Sequence, residues 1–509
     1  MKRLAAVVVL LAARAAAAQD AGTPLPNPLP APRGEGTGSV LPLPLAGEGR
    51  GEGKPPEPTL ADPGRGEGKP PEATPVDGAA PADMTARWAT SLYGFAELDA
   101  MYDSTQSYGP SANNAALARP GTYAATHGRT QMTANNSLFG FRIGAPAYRR
   151  MRATAQVEVD FFGTQPSDVT ERTAFTFGSL RMRLFAFRLE TKFVDLLAGQ
   201  YHDLFGWGGT GFYPNSVAFL GLPGQIYSRQ PQVRVGKTFG GSASAAQVEV
   251  AVAAVRPVQR DSEVPDMQAG ARVALNALRG ASAQGFGQPD IAPCAFGVSG
   301  VWRRFAVAEF LPVPGEPKVA FGWGAAVNAF VPVIPRSSTT DLRNALSLKA
   351  EASIGSGISD LYTGLTGGAL FPTLPNPGGL TPPPLYRPNI DSGIVTFDAD
   401  GNLRPIDWWA VVAGVQYHLP IGTGRTWLAA NYAHLESKNI VALTPENSRG
   451  GVFFRLDYAD ANVFFTLTPA VHIGLSYQVT RQLFGDHPFG GPNPAAINHR
   501  GETGLRLFF

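Results

Sequence analysis

From Trp88 to the last residue, the chain is written in short runs that alternate apolar and polar positions. Leu92, Gly94, Ala96, Leu98 and Ala100 alternate with Tyr93, Phe95, Glu97, Asp99 and Met101. Arg152, Thr154, Gln156, Glu158 and Asp160 share one parity, and Ala153, Ala155, Val157, Val159 and Phe161 share the other. Gln268, Arg272 and Asn276 oppose Met267, Ala269, Ala271, Val273 and Leu275, and His472, Gly474, Ser476 and Gln478 oppose Ile473, Leu475, Tyr477 and Val479. The final run sets Thr503, Leu505, Leu507 and Phe509 against Glu502, Gly504, Arg506 and Phe508. Strand side chains point to alternate faces, so each run is a strand with one apolar and one polar side. A half-solvated soluble sheet alternates too. The number of runs, and lengths near the ~9–11 residues of a membrane strand, favour a transmembrane antiparallel β-barrel.

About sixteen strands are expected, an even number that returns both ends to one side of a membrane. They centre on Phe95, Gly140, Val157, Arg183, Leu197, Val235, Val250, Val273, Val298, Ala326, Ala350, Val412, Ala430, Phe464, Leu475 and Leu505. The connections then sort by parity. One set is mostly short: Gly144–Arg150, Glu190–Lys192, Gly240–Ser244, Leu419–Gly424 and Thr468–Pro469, with longer members at Gly280–Ala292 and Pro332–Asn344. The other is long: Ser104–Gly128, His202–Ser228, Ser356–Trp408, Ser437–Gly450 and Gln482–His499. Sixteen strands enclose a water-filled channel rather than a lumen filled by side chains.

The first residues carry an address. Lys2 and Arg3 precede the apolar run Leu4–Ala13, and Ala15–Ala18 form a small-residue site, the layout of a secretory signal peptide over residues 1–18. The run is too short to span a bilayer, and no later stretch reaches ~18 apolar residues. Any crossing of a membrane therefore falls to strands, and only a closed barrel leaves no strand edge unpaired in lipid. Residues 19–86 are rich in Pro, Gly and Glu, and GRGEGKPPE occurs at Gly49–Glu57 and again at Gly64–Glu72. With almost no aromatic or β-branched side chains, this stretch cannot offset the entropy of ordering. It reads as a disordered periplasmic linker or a dispensable repeat expansion, leaving 87–509 as the barrel domain.

Composition narrows the function. Charged residues are only 16% of the chain and the net charge is +2, so no basic excess points to nucleic acid. The single Cys294 excludes an internal disulfide and a cysteine zinc site.

Five segments in order, Leu92–Asp103, Ser137–Ile143, Val157–Gly163, Leu180–Arg183 and Leu196–Gln200, together resemble the DcaP-like porins. That resemblance implies a homotrimeric, sixteen-stranded channel in the bacterial outer membrane, surrounded by its lipid, passing small anionic solutes such as dicarboxylates. It is strongest over Leu92–Gln200 and loose beyond. Leu138 stands where the family pattern expects a basic residue, and the N-terminus lacks a coiled-coil stretch that some relatives carry. A terminal aromatic with apolar residues two and four before it also resembles the closing strand of outer-membrane barrels, making Phe509 the signal for the barrel-assembly machinery.

Selectivity would come from charges on the lumen face. Arg181, Arg183, Arg234, Arg272 and Arg506 occupy polar strand positions and could form an anion ladder, since guanidinium holds carboxylates in a planar fork. Glu97, Asp99, Glu158 and Asp160 stand against them, either as an opposed row that sets a transverse field or as partners that neutralise them. His202–Ser228 is the third long connection, carrying His202, Asp203, Trp207, Tyr213 and Tyr227; by analogy of fold it turns into the lumen as a constriction loop, the alternative being an external loop or a trimer contact.

Other motifs carry no chemistry. Gly206, Gly208 and Gly211 spell GxGxxG, but Pro214 follows and no βαβ unit surrounds it. Asp398, Asp400 and Gly401 lack the spacing of a calcium loop; Ile394–Ile406 reads as a hairpin turning at Asp400-Gly401. His202 with Asp203, or His472 with Ser476, has no third member for a hydrolase triad. No cofactor, metal or catalytic group is expected. The expectation is a porin passing small hydrophilic solutes, anions among them, with a nonselective porin as the alternative and an outer-membrane enzyme or adhesin after it.

Overall fold

A computed structural model describes residues 88–109, 116–163, 178–217, 221–241, 243–285, 287–308, 315–365, 372, 374, 388–486 and 495–509. The chain divides into Met1–Asp77 and Gly78–Phe509, and only the second contains described residues. The signal-peptide and linker expectations lie outside them.

One antiparallel sheet closes on itself. Its strands are β1 (Ala89–Asp103), β2 (Arg129–Thr133 and Leu138–Gly144), β3 (Arg152–Asp160), β4 (Arg181–Glu190), β5 (Asp195–His202), β6 (Arg229–Phe239), β7 (Ala246–Val255) and β8 (Asp266–Ser282). They continue as β9 (Asp290–Val307), β10 (Lys318–Ile334), β11 (Leu346–Ser356), β12 (Asp407–His418), β13 (Thr426–Ser437), β14 (Phe453–Thr466), β15 (Val471–Phe484) and β16 (Ala495–Phe508). Both pieces of β2 pair with β1 and occupy one stave, so the barrel has sixteen. All sixteen expected centres fall on separate staves. The two overlong turns shrink because β8 runs on to Ser282 and β10 to Ile334.

The seam is β1 against β16, from Phe95 opposite Phe508 to Asp103 opposite Arg500. The ladder extends one step further: Gly94 and Phe509 exchange both backbone hydrogen bonds, at 3.0 and 3.1 Å. Closure leaves no unpaired edge, the condition for a sheet in lipid.

Alternation now has a direction. Leu98, Phe185, Phe187, Val250, Val298, Val327, Leu475 and Leu505 are exposed on the outer wall, while Glu97, Asp99, Glu158, Gln268, Asn328 and Gln478 are buried within. So broad an apolar exterior is a liability in water and the normal dress of a membrane barrel. Aromatics ring both ends: Tyr102, Trp302, Phe321, Trp323, Tyr432 and Tyr477 towards the long loops, Trp88, Phe193 and Phe239 towards the short turns. The sole register fault on β4 has a consequence for the lumen. A bulge opposite Glu158 and Val159 puts Arg183 and Leu184, neighbours in sequence, both on the buried side.

Candidate functional site

The interior is asymmetric. The long loops build a hydrophobic core within it: Phe205, Leu222 and Ile226 of the third loop meet Leu361, Tyr362 and Ile406 of the sixth, between β11 and β12, and Val301, Trp408 and Leu435 of the wall. Space remains against β16 and β1–β4.

The third loop, described at 203–217 and 221–228, lies inside the barrel, because its backbone is satisfied by inward side chains of distant staves. Phe205 N donates to Gln268 Oε1 on β8 at 2.9 Å and Gly206 N to Ser299 Oγ on β9 at 2.8 Å. Val217 N donates to Asn462 Oδ1 on β14 at 3.1 Å, and Ile226 N to Glu351 Oε1 on β11 at 2.6 Å. Lys349 Nζ donates to the Tyr213 carbonyl at 2.8 Å. A loop low in charge can cross a lumen only if its peptide groups find such partners. Trp207 pins it. The indole lies where a Cβ on Gly297 would come within 2.7 Å of it, and its Nε1 donates to the Val298 carbonyl at 2.9 Å. Trp207 and Asp203 are fully buried, so they anchor the loop rather than line a passage.

Between loop and wall lies a cavity of about 600 Å³. His202, Tyr213 and Tyr227 bound it on the loop side; Tyr93, Arg142, Glu158, Arg183, Arg506 and Phe508 bound it on the wall.

The charged residues lie side by side, the second of the two arrangements expected for them. Arg181 grips Asp160 with two bonds of 2.9 and 2.6 Å. Arg183 donates to Glu158 at 2.7 Å, to Asp160 at 2.9 Å and to the Tyr227 hydroxyl at 3.0 Å. Arg272 pairs with Glu249 at 2.7 Å and Arg506 with Glu97 at 2.6 Å, while Asp99 accepts from Asn136. Of the two arrangements, the geometry is that of neutralising partners and not of opposed rows. Acid-bearing β3 and β1 are the direct neighbours of base-bearing β4 and β16, so the charges meet within the wall. Buried charges adopt such pairing because an isolated one is too costly.

Arg234 differs, with only neutral acceptors: Gln232 Oε1 at 2.9 Å and the His202 carbonyl at 2.5 Å. Two arginines not anticipated join it. Arg142 stacks over the Tyr93 ring at 4.4 Å and Arg229 over Tyr227 at 5.1 Å; neither has a carboxylate partner among the described residues. Arg142 could have been found. It follows Gly140 by two in Ser137–Ile143, on the inward parity.

Elsewhere, the expected hairpin is present, Val395–Phe397 pairing with Leu403–Pro405 and Gly401 at φ 77°. Arg404 and the Asn402 amide hold the half-buried Asp398 carboxyl down at about 2, so it is a turn anchor. Among the described residues no His, Cys, Asp and Glu group could hold a metal.

A closed barrel of sixteen staves, apolar outside, polar inside and crossed by an inward loop, has the fold of the porins. No family model and no curated sequence matches the chain. Among solved structures it is similar to the outer membrane channel DcaP of Acinetobacter baumannii, with TM-score 0.54 and 17% identity, over 83% of this chain and 97% of that one. More distant are OmpT of Vibrio cholerae in its trimer form (0.43, 11%, 83% and 99%) and Salmonella typhi OmpF in complex with daunomycin (0.43, 10%, 82% and 97%).

Proposed function

We propose that this protein is an outer-membrane diffusion channel of the DcaP-like kind, passing small hydrophilic solutes with a preference for anions. The observation that carries the preference is the pair Arg142 and Arg229, neither of which forms an ion pair with a carboxylate among the described residues. Arg142 lines the cavity left beside the third loop, and Arg229 stacks on Tyr227, which also lines it. Fixed positive charge on a narrow lumen raises the local concentration of anions. In this reading the third loop constricts the path, His202, Tyr213 and Tyr227 form its rim, and no step is catalysed. Residues 1–18 direct export, 19–86 are a periplasmic linker, Phe509 is read by the assembly machinery, and the channel is a homotrimer.

Reversal potential across a planar bilayer under a KCl gradient tests the preference. Anion selectivity that falls in Arg142→Ala is expected, and cation selectivity in the native channel would refute it. The pairing of Arg181, Arg183, Arg272 and Arg506 favours a second reading, a channel without charge preference, whose reversal potential would lie near zero.

A further inference from the structure

The turn between β8 and β9 does not hang free of the barrel. Gly280, Ala281, Ser282 and Ala283 are all buried, so the alternation of β8 stops where a strand leaving the wall would expose every second residue. The cause is a register fault: Arg279 lies opposite Pro293 but Leu275 opposite Cys294, and the surplus residues on β8 bend the end of the hairpin inward. A Cβ on Gly280 would collide with Pro332 of β10, and Ala281 packs with Leu342 and Ala345 of the turn that follows β10.

From there the chain crosses the mouth on the short-turn side. The Ala281 carbonyl accepts from Ser347 Oγ on β11 at 2.6 Å, and Ala283 N donates to Gln416 Oε1 on β12 at 3.3 Å. Gln288 Nε2 donates at 2.9 Å to the carbonyl of Pro469, in the turn between β14 and β15. Turns on staves so far apart in the sheet meet only if one of them lies across the opening. The third loop reaches down to it. Gly285 N donates to the Pro214 carbonyl at 3.0 Å, and Lys349 Nζ bridges the Tyr213 and Ala283 carbonyls at 2.8 and 2.5 Å. One buried ammonium thus staples loop to turn. Gln284 and Gln288, both exposed, line the same cavity as Arg142, Tyr213 and Tyr227.

We infer that this turn is a second constriction, in series with the third loop, and that Gln284 is a specificity-determining residue at the exit from the cavity. The inference rests on the channel reading above and deepens it. A solute drawn in by Arg142 and Arg229 leaves past amides that donate hydrogen bonds but carry no charge. Conduction needs sites that bind and also release, and a neutral exit releases an anion that a further arginine would hold.

Reversal potential across a planar bilayer, under a KCl gradient centred near 1 M, tests the exit. The Debye length is then ~3 Å, so only a charge on the path itself acts. Gln284→Glu should lower the anion/cation permeability ratio by about threefold, and Gln284→Lys should raise it by about as much. An unchanged ratio in both variants overturns the exit role. Gln288→Cys with Pro469→Cys, in a Cys294→Ser background, tests the crossing without recourse to current. A short bismaleimide should join the two cysteines in the folded barrel, read as a shift in electrophoretic mobility, and failure to join them overturns the crossing. A native protein that passes no current refutes the channel reading and the constriction with it, whereas a native channel indifferent to charge at Gln284 refutes the constriction alone.

Discussion

Arg506→Ala is the perturbation that tests how the barrel closes. Arg506 sits on the seam opposite Glu97, donates to it at 2.6 Å and stacks over the Phe95 ring at 3.8 Å. The side chains of both partners are almost wholly buried, at 5% and 0% exposure. Truncating the arginine leaves Glu97 buried without its cation, with Asp99 two residues along on the same face and Glu502 on β16. Breaking a buried pair in this way costs about 3–5 kcal/mol, a shift of more than a hundredfold in the folding equilibrium. Removing both charges with Glu97→Gln and Arg506→Met keeps the volume and should return stability to within ~1–2 kcal/mol of the native protein. The assay is urea unfolding of refolded protein in detergent micelles, followed by tryptophan fluorescence, as a double-mutant cycle. If Arg506→Ala alone unfolds at the native midpoint, the pair contributes nothing to closure and the reasoning fails.

Two further outcomes follow from the same pairing. Arg181→Ala with Arg183→Ala should lower the anion/cation permeability ratio by unmasking Asp160 and Glu158, and adding Asp160→Asn and Glu158→Gln should restore it; no restoration would mean the arginines act directly on permeating ions. Arg303, fully buried, ties Asp266 of β8 to Asp360 and the Gly357 carbonyl of the sixth loop at 2.5–2.9 Å. Arg303→Ala should cost about 3–5 kcal/mol, read by limited proteolysis as new cleavage after Ser356, and an unchanged digest would show the loop is held by its apolar core alone.

Much of this barrel was legible in the residue order. The period of two is a property of each strand by itself, and a lipid exterior demands an apolar side chain at every second position. All sixteen staves, the parity of long and short connections and the inward face of Arg506 could therefore be read locally. The hairpin at Asp400-Gly401 was legible for the same reason, since its turn chemistry is local. What only the tertiary structure decided is which charges meet. Asp160 and Arg181 are 21 residues apart and Glu249 and Arg272 23 apart, and only strand pairing turns them into neighbours. The bulge that turns Arg183 and Leu184 inward together breaks the alternation on which sequence reading depends. The path of the third loop was likewise hidden, because its anchors are Gln268, Ser299, Glu351 and Asn462 on four remote staves. Periodicity says which way a side chain points; closure of the sheet decides what it finds there.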